Sequence, residues 1–276
     1  MLNAMTGYYE FDPYSKKDTP NYLDAVSNPK IPKKIAYSFD LGGEPLDPRV
    51  RKGFEDGLKV FESMGVELIE DCIDFSEAHY LIRILRSLKF AAQADRLKNH
   101  RDQLKPEIIW NIETGLKLTG EEIAKAELIR GKLFNDTAEF FNKYDMFICP
   151  TVMVPPFDVD IRYPDEVEGI SMETYIEWMK SSYLVSALGL PSLSLPFGFT
   201  EEGLPVGIQI VGIVCWMRSV QNRKTGMSCI RRFLLLAAAT TLTACGFRSS
   251  RKVMDRLSLS AQGRGPSRRR SSYGSI

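Results

Sequence analysis

The chain has 276 residues, 44% of them hydrophobic and 26% charged, with a formal net charge of +1. That composition excludes a disordered or membrane-embedded protein and leaves room for one large domain or two small ones. The near-neutral total conceals a division, because residues 1–212 carry 23 basic against 34 acidic side chains, whereas residues 213–276 carry 13 basic against Asp255 alone. An acidic body argues against nucleic acid as its partner, since phosphate binding needs a basic face. Five cysteines (Cys72, Cys149, Cys215, Cys229 and Cys245) are odd in number and widely spaced, with no CxxC pair. Reduced thiols fit better than a disulfide frame or a zinc site. The first residues have no basic-then-apolar run of the secretory kind, so cytoplasm is the expected location.

Taken in order, residues 1–7 have the texture of a helix end capped by Gly7, and residues 11–34 are polar. Residues 34–40 alternate as a strand does. Asp47-Pro48 opens a helix with Asp as N-cap and Pro at the first helical position. Val50, Phe54, Leu58, Phe61 and Met64 form its apolar stripe, and Gly65 closes it. Residues 66–70 read as the next strand and residues 76–97 as a helix, so parallel βαβ organisation is expected. Thr119-Gly120-Glu121-Glu122 fits a capping box. The long helix it opens carries Ile129, Leu133, Phe140 and Phe141 on one stripe and ends near Tyr144. Residues 146–149 form a short apolar run stopped by Pro150, as in a buried strand. A Pro- and Asp-rich loop over residues 151–169 leads to a helix expected over 171–188. Two alternating strands follow, one through Leu193, Leu195, Phe197 and Phe199, the other through Val206, Ile208 and Ile210.

Several of these segments, in this order, resemble the amidase signature family of amide hydrolases. They are Leu2-Asn3-Ala4-Met5-Thr6-Gly7 with Asp12-Pro13 behind, the strand at 34–40, Asp145-Met146-Phe147-Ile148-Cys149-Pro150-Thr151, the run from Gly189-Leu190-Pro191 to Phe199, and residues 203–212. The resemblance covers residues 1–212 and matches the C-terminal half of such enzymes. It implies an incomplete α/β/α sandwich with a mixed sheet, lacking the strands of an N-terminal half. The family's chemistry uses a serine nucleophile, a cis-serine and a lysine, placed around a Gly/Ser-rich segment. No such segment is present, and the expected catalytic set lies upstream of the part that Met1 onward resembles. No catalytic residue is therefore assigned, and no metal or cofactor is expected. The resemblance also implies that this half supplies the wall on the substrate side. Thr151, Met153, Leu188 and Gly189, at strand ends where open α/β sheets place ligand crevices, are the pocket candidates.

Other sets offer no replacement. His79 and His100 are the only histidines, and neither accompanies a G-x-S-x-G nucleophile elbow. Ser181-Ser182 lies inside an expected helix. Asp158, Asp160, Asp165, Glu166 and Glu168 could collect a hard cation, but their spacing is not that of an EF-hand, and a solvated acidic loop is the simpler reading. No phosphate-binding glycine motif occurs.

The basic segment 213–276 admits three readings. Leu242-Thr243-Ala244-Cys245 after an apolar run mimics a lipoprotein signal, yet far from an N-terminus. Arg264 and Arg268 to Arg270 would suit phosphate contact. The preferred reading is out-of-frame or mis-joined sequence, disordered or with an isolated helix near 230–244. The expected function is amide C–N hydrolysis by the family's chemistry, with this chain alone an inactive fragment. The alternatives are a non-catalytic subunit-interaction module and a protein tethered through its basic tail. The partners expected are a small amide substrate for the complete enzyme and a second copy of the chain, with neither nucleic acid nor membrane.

Overall fold

The computed structural model describes residues 2–12, 15, 17, 21–27 and 31–212. The expectations for residues 213–276 lie outside that range. Two short helices, α1 (Leu2–Met5) and α2 (Tyr22–Ser27), come first. They are tied by Asn3, whose Nδ2 donates to Asn21 Oδ1 and whose Oδ1 accepts from the Tyr22 amide. Gly7 does not take the left-handed conformation of a helix-capping glycine. The chain turns away there, with the Tyr9 amide donating to Ser15 Oγ.

The body follows as β1 (Lys34–Tyr37), α3 (Pro48–Ser63), β2 (Glu67–Glu70), α4 (Ala78–Ala91), α5 (Ala94–His100), α6 (Pro106–Leu116), α7 (Gly120–Lys143) and β3 (Met146–Pro150). Then come β4 (Glu166–Val167), β5 (Ile170–Ser171), α8 (Lys180–Ala187), β6 (Ser192–Phe199) and β7 (Pro205–Gly212). Five strands form one sheet in the order β2-β1-β3-β7-β6. β1 runs parallel to both β2 and β3, while β7 runs antiparallel to both β3 and β6. The sheet is mixed, as expected.

Local chemistry sets the main boundaries. Asp47 Oδ1 accepts the Arg49 amide at the start of α3, followed by Pro48. Thr119 and Glu122 close a reciprocal capping box on α7. Side-chain parity then sorts the sheet into two cores, since alternate strand residues face opposite sides. Ile35, Met146, Ile148, Ile208 and Ile210 turn toward α3, meeting Phe54, Leu58 and Phe61. Ala36, Phe147, Cys149 and Val211 turn the other way, toward α4, α7 and α8. Helices on both faces of a mixed sheet make the α/β/α sandwich.

Two expected helices are corrected. The helix expected over 76–97 is two, α4 and α5, separated by a turn in which the Gln93 amide donates to the Phe90 carbonyl. α4 is held by buried Ala78, Leu81, Ile84 and Ser87, whereas α5 buries nothing, so no packing carries the helix straight on. The helix expected from 171 begins only at Lys180. Glu168 and Gly169 both have positive φ (53° and 77°). They form a two-residue turn of the kind that joins hairpins, pairing β4 with β5. Glu177 then accepts from the Glu173 amide and the Thr174 hydroxyl, fixing a turn ahead of α8. α6 has no counterpart among the expected elements, although Lys105-Pro106 places proline at its first turn.

α4 and α6 cross closely enough that a Cβ on Gly115 would lie 2.0 Å from the Ser87 carbonyl oxygen. Gly131, on exposed α7 surface, has nothing within 4 Å of such an atom. Gly115→Ala should therefore destabilise the protein by about 1–3 kcal/mol. Gly131→Ala should stabilise it by up to about 1 kcal/mol through helix propensity. Urea denaturation of the two variants checks the pair, and equal shifts would refute the close approach.

Candidate active-site face

On the α8 side of the sheet the character of the surface changes along each strand. β3 presents Phe147 and Cys149 to the core and then ends at Thr151, just beyond Pro150. β7, otherwise apolar, places Gln209 on this face opposite Cys149 on one side and Ser194 on the other. β6 contributes Ser192 and Ser194 by the same parity, and α8 adds Ser181 and Ser182 from above. Polar side chains thus meet where a continued apolar pattern would have extended the core.

The knot is well satisfied. The Thr151 amide donates to the Gly207 carbonyl at 3.0 Å. The Thr151 carbonyl accepts the Ser181 hydroxyl at 3.0 Å and the Ser182 hydroxyl at 2.9 Å. Gln209 Nε2 donates to the carbonyls of Ser181 (3.0 Å), Pro150 (3.3 Å) and Thr151 (3.4 Å). Thr151 Oγ1 lies 3.1 Å from Ser194 Oγ, and Ser192 Oγ donates to Gln209 Oε1. Gly207 leaves the space for this, since a Cβ there would stand 3.1 Å from Thr151 Oγ1. Gln209 is buried, while Ser192 and Ser194 are exposed at the edge of the sheet. The knot therefore runs from the interior out to solvent.

Of the four pocket candidates, Thr151 lies at the centre of this knot. Leu188 is packed in the core against α4 and α7, and Gly189 closes α8 at φ 64°. Met153 is 1% exposed and lies in a separate cluster with Val154, Val167 and Met172 under the β4–β5 hairpin. Its carbonyl accepts the Asp47 amide. The structure does not bring Met153 together with Thr151. Ser181, Ser182, Ser192, Ser194 and Gln209 are not among the pocket candidates that the sequence suggests. The one signal is Gln209, a lone polar residue in the apolar run of β7.

None of these groups is an activated nucleophile. Ser181 and Ser182 spend their hydroxyls on one carbonyl, and neighbouring Lys180 is paired at 2.9 Å with Glu44. His79 Nδ1 lies 2.6 Å from the Tyr183 hydroxyl, so this helix histidine has a partner. Burial, assisted by Lys180 and Arg83, holds His79 below its usual pKa. Burial pushes the Tyr183 phenol up. In the acidic loop, Asp158 accepts the Asp160 amide, and Glu168 reaches across to accept the Leu46 amide. No three His, Cys, Asp or Glu side chains among the described residues converge to hold a metal ion.

Residues 1–214 match the Amidase family model. The chain belongs to the amidase family. It is 28% identical over 215 residues to an acylamidase of Rhodococcus erythropolis, covering 76% of this chain and 45% of that protein. It is 28% identical over 239 residues to a glutamyl-tRNA(Gln) amidotransferase subunit of Brevibacillus brevis, covering 77% and 48%. Its fold superposes on a bacterial aryl acylamidase of the amidase signature family with a TM-score of 0.67 at 21% identity, covering 83% of this chain and 49% of the other. The chain spans about half the length of the relatives it matches.

Two outcomes test this face. Gln209→Leu strips buried carbonyls of a shared donor and should cost about 1–3 kcal/mol in urea denaturation. Ser182→Ala should cost less, because Ser181 still donates to the same oxygen. For His79 the folded pKa is depressed, so its contribution is full above the unfolded value of about 6.5 and is lost as pH falls below it. Stability should therefore drop more steeply between about pH 7 and pH 5.5 in the native chain than in His79→Gln. Equal slopes would contradict the buried, neutral assignment.

Proposed function

We propose that residues 1–212 form one half of an amide hydrolase that cleaves carboxylic C–N bonds of a small substrate through a serine ester. The serine, cis-serine and lysine of that chemistry come from outside this chain, which alone is inactive. The reading rests on one observation above others: the polar knot opens onto β6, an edge strand among the described residues. β6 is eight residues long, uncharged, and paired only with β7 among the described residues, and although Pro196 and a bulge interrupt its second half, Ser192 to Leu195 form a regular edge. The other edge, β2, has four residues with Glu67 and Glu70 at its ends. Long uncharged edges invite further strands, whereas short charged ones are protected against them. Family membership together with half coverage supports assigning the missing strands to the β6 side, next to Thr151 and Ser194.

The body works in the cytoplasm on this reading. No helix among the described residues is long and apolar enough to cross a membrane. Cys72 and Cys149 are both free thiols. Burial raises the Cys72 pKa to about 11 and pushes Cys149 higher still, which keeps both unreactive. The same edge favours a second reading, a subunit-interaction module that retains the fold without the chemistry. A second copy pairing edge to edge would be its simplest form.

Purified chain incubated with a 4-nitroanilide should release no 4-nitroaniline above buffer. Serine-directed phenylmethanesulfonyl fluoride should label none of residues 1–212. Turnover, or a labelled serine in this range, would refute the assignment of the catalytic set to sequence outside the chain. A monomer–dimer equilibrium in sedimentation, weakened by Ser194→Lys on the exposed edge, would favour the interaction module.

A further inference from the structure

A recess of about 200 Å³ opens between the start of α6 and the turn after β5, lined by Glu107, Trp110, Tyr163, Glu173, Thr174 and Tyr175. Its walls are aromatic. Tyr175 sits in the middle, with Trp110 meeting it edge-on at 6.3 Å and Tyr163 at 6.5 Å. Tyr175 is held from behind, since its hydroxyl accepts both Arg86 Nη2 at 2.8 Å and Asn111 Nδ2 at 2.7 Å. Asn111 Nδ2 also donates to the Glu107 carbonyl at 2.6 Å. The ring is thereby locked to α4 and α6. A fixed aromatic wall spares a ligand the cost of ordering it.

The charges in the lining are all negative. The side chain of Glu107 is 18% exposed and pairs with Arg162, whose own side chain is 61% exposed. Glu173 donates its backbone amide to Glu177, and its carboxylate has no ion-pair partner among the described residues. The other charges close by are the Glu177 carboxylate, which holds the Glu173 amide and the Thr174 hydroxyl, and Arg86, which lies behind the recess between Phe90 at 5.2 Å and the Tyr175 ring at 5.9 Å. Aromatic faces and carboxylates both attract cations, the former through the ring quadrupole. The recess already receives one such group from its own chain, the Arg162 guanidinium on Glu107. From this geometry we infer that the recess binds a small arylalkylammonium ion. Its ring lies among Trp110, Tyr163 and Tyr175, and its ammonium displaces Arg162 from Glu107 and faces Glu173. Such binding stands whether or not the chain takes part in amide hydrolysis.

The experiment is a ligand-observed NMR titration of the full chain with benzylammonium, benzyl alcohol, butylammonium and benzoate in low-salt buffer. Benzylammonium should bind saturably with Kd on the order of 1 mM. Benzyl alcohol, lacking charge, and butylammonium, lacking the ring, should each bind at least several-fold more weakly, and benzoate not at all. Glu173→Gln, an exposed change that spares the fold, should weaken benzylammonium by about three- to tenfold. Arg162→Ala, also exposed, should tighten it, because the competing guanidinium is gone. Equal binding of benzyl alcohol would overturn the cation assignment, and equal binding of butylammonium would overturn the aromatic one. No saturable binding of benzylammonium at tens of millimolar, or weaker binding to Arg162→Ala, would overturn the proposal as a whole.

Discussion

β3 is hydrogen-bonded on both sides, parallel to β1 and antiparallel to β7, and all five of its residues are buried. Its side chains must satisfy two layers at once. Met146 and Ile148 pack on the single helix α3, while Phe147 and Cys149 pack on α4, α7 and α8. One residue of slippage would exchange the two sets, so the strand fixes the register of the sheet and the placement of both helical layers. Asp145, just ahead of it, reinforces that register by accepting the amides of Lys33 and Lys34.

The same parity creates the polar face beneath α8. Continuing β3 by one step beyond Pro150 puts Thr151 on the α8 side, in line with Gln209 and Ser194 across two neighbouring strands. Thr151 therefore owes its neighbours to strand alternation. Buried carbonyls at a strand end need donors, and the hydroxyls of α8 with the Gln209 amide supply them. The result is a polar corner that passes from the interior to the β6 edge, which carries Pro196 and a bulge and pairs only with β7 among the described residues. The hydroxyls of Thr151, Ser181, Ser182, Ser192 and Ser194 on this side are all engaged in hydrogen bonds.

Much of this was legible in the residues. The period of 3.6 in α3 and α7, the caps at Asp47 and Thr119, and the alternation in β6 and β7 each have a local physical cause, and each reappears in the structure. The family was legible too, from segments in order. Non-local causes were hidden. The split between α4 and α5 follows from burial that ends with α4, α5 having no buried residue, and the β4–β5 hairpin depends on Glu168 accepting a positive φ that favours glycine or asparagine. Met153 stands near Thr151 in sequence and belongs to another cluster. Ser181-Ser182 was visible as a pair, but its role rests on a carbonyl thirty residues away. The recess around Tyr175 joins α4, α6 and two loops, a conjunction that no local spacing announces.

The central claim is that β6 is an open seam of an otherwise well-formed sheet. Residue-resolved amide hydrogen exchange of the isolated chain tests it most directly. β3 and β7 should exchange only through global unfolding, and alternate amides of β6, those facing away from β7, should exchange orders of magnitude faster. Protection of all β6 amides at the level of β3, at a concentration where the chain is monomeric, would contradict the account, because another part of the same chain would then already occupy the edge.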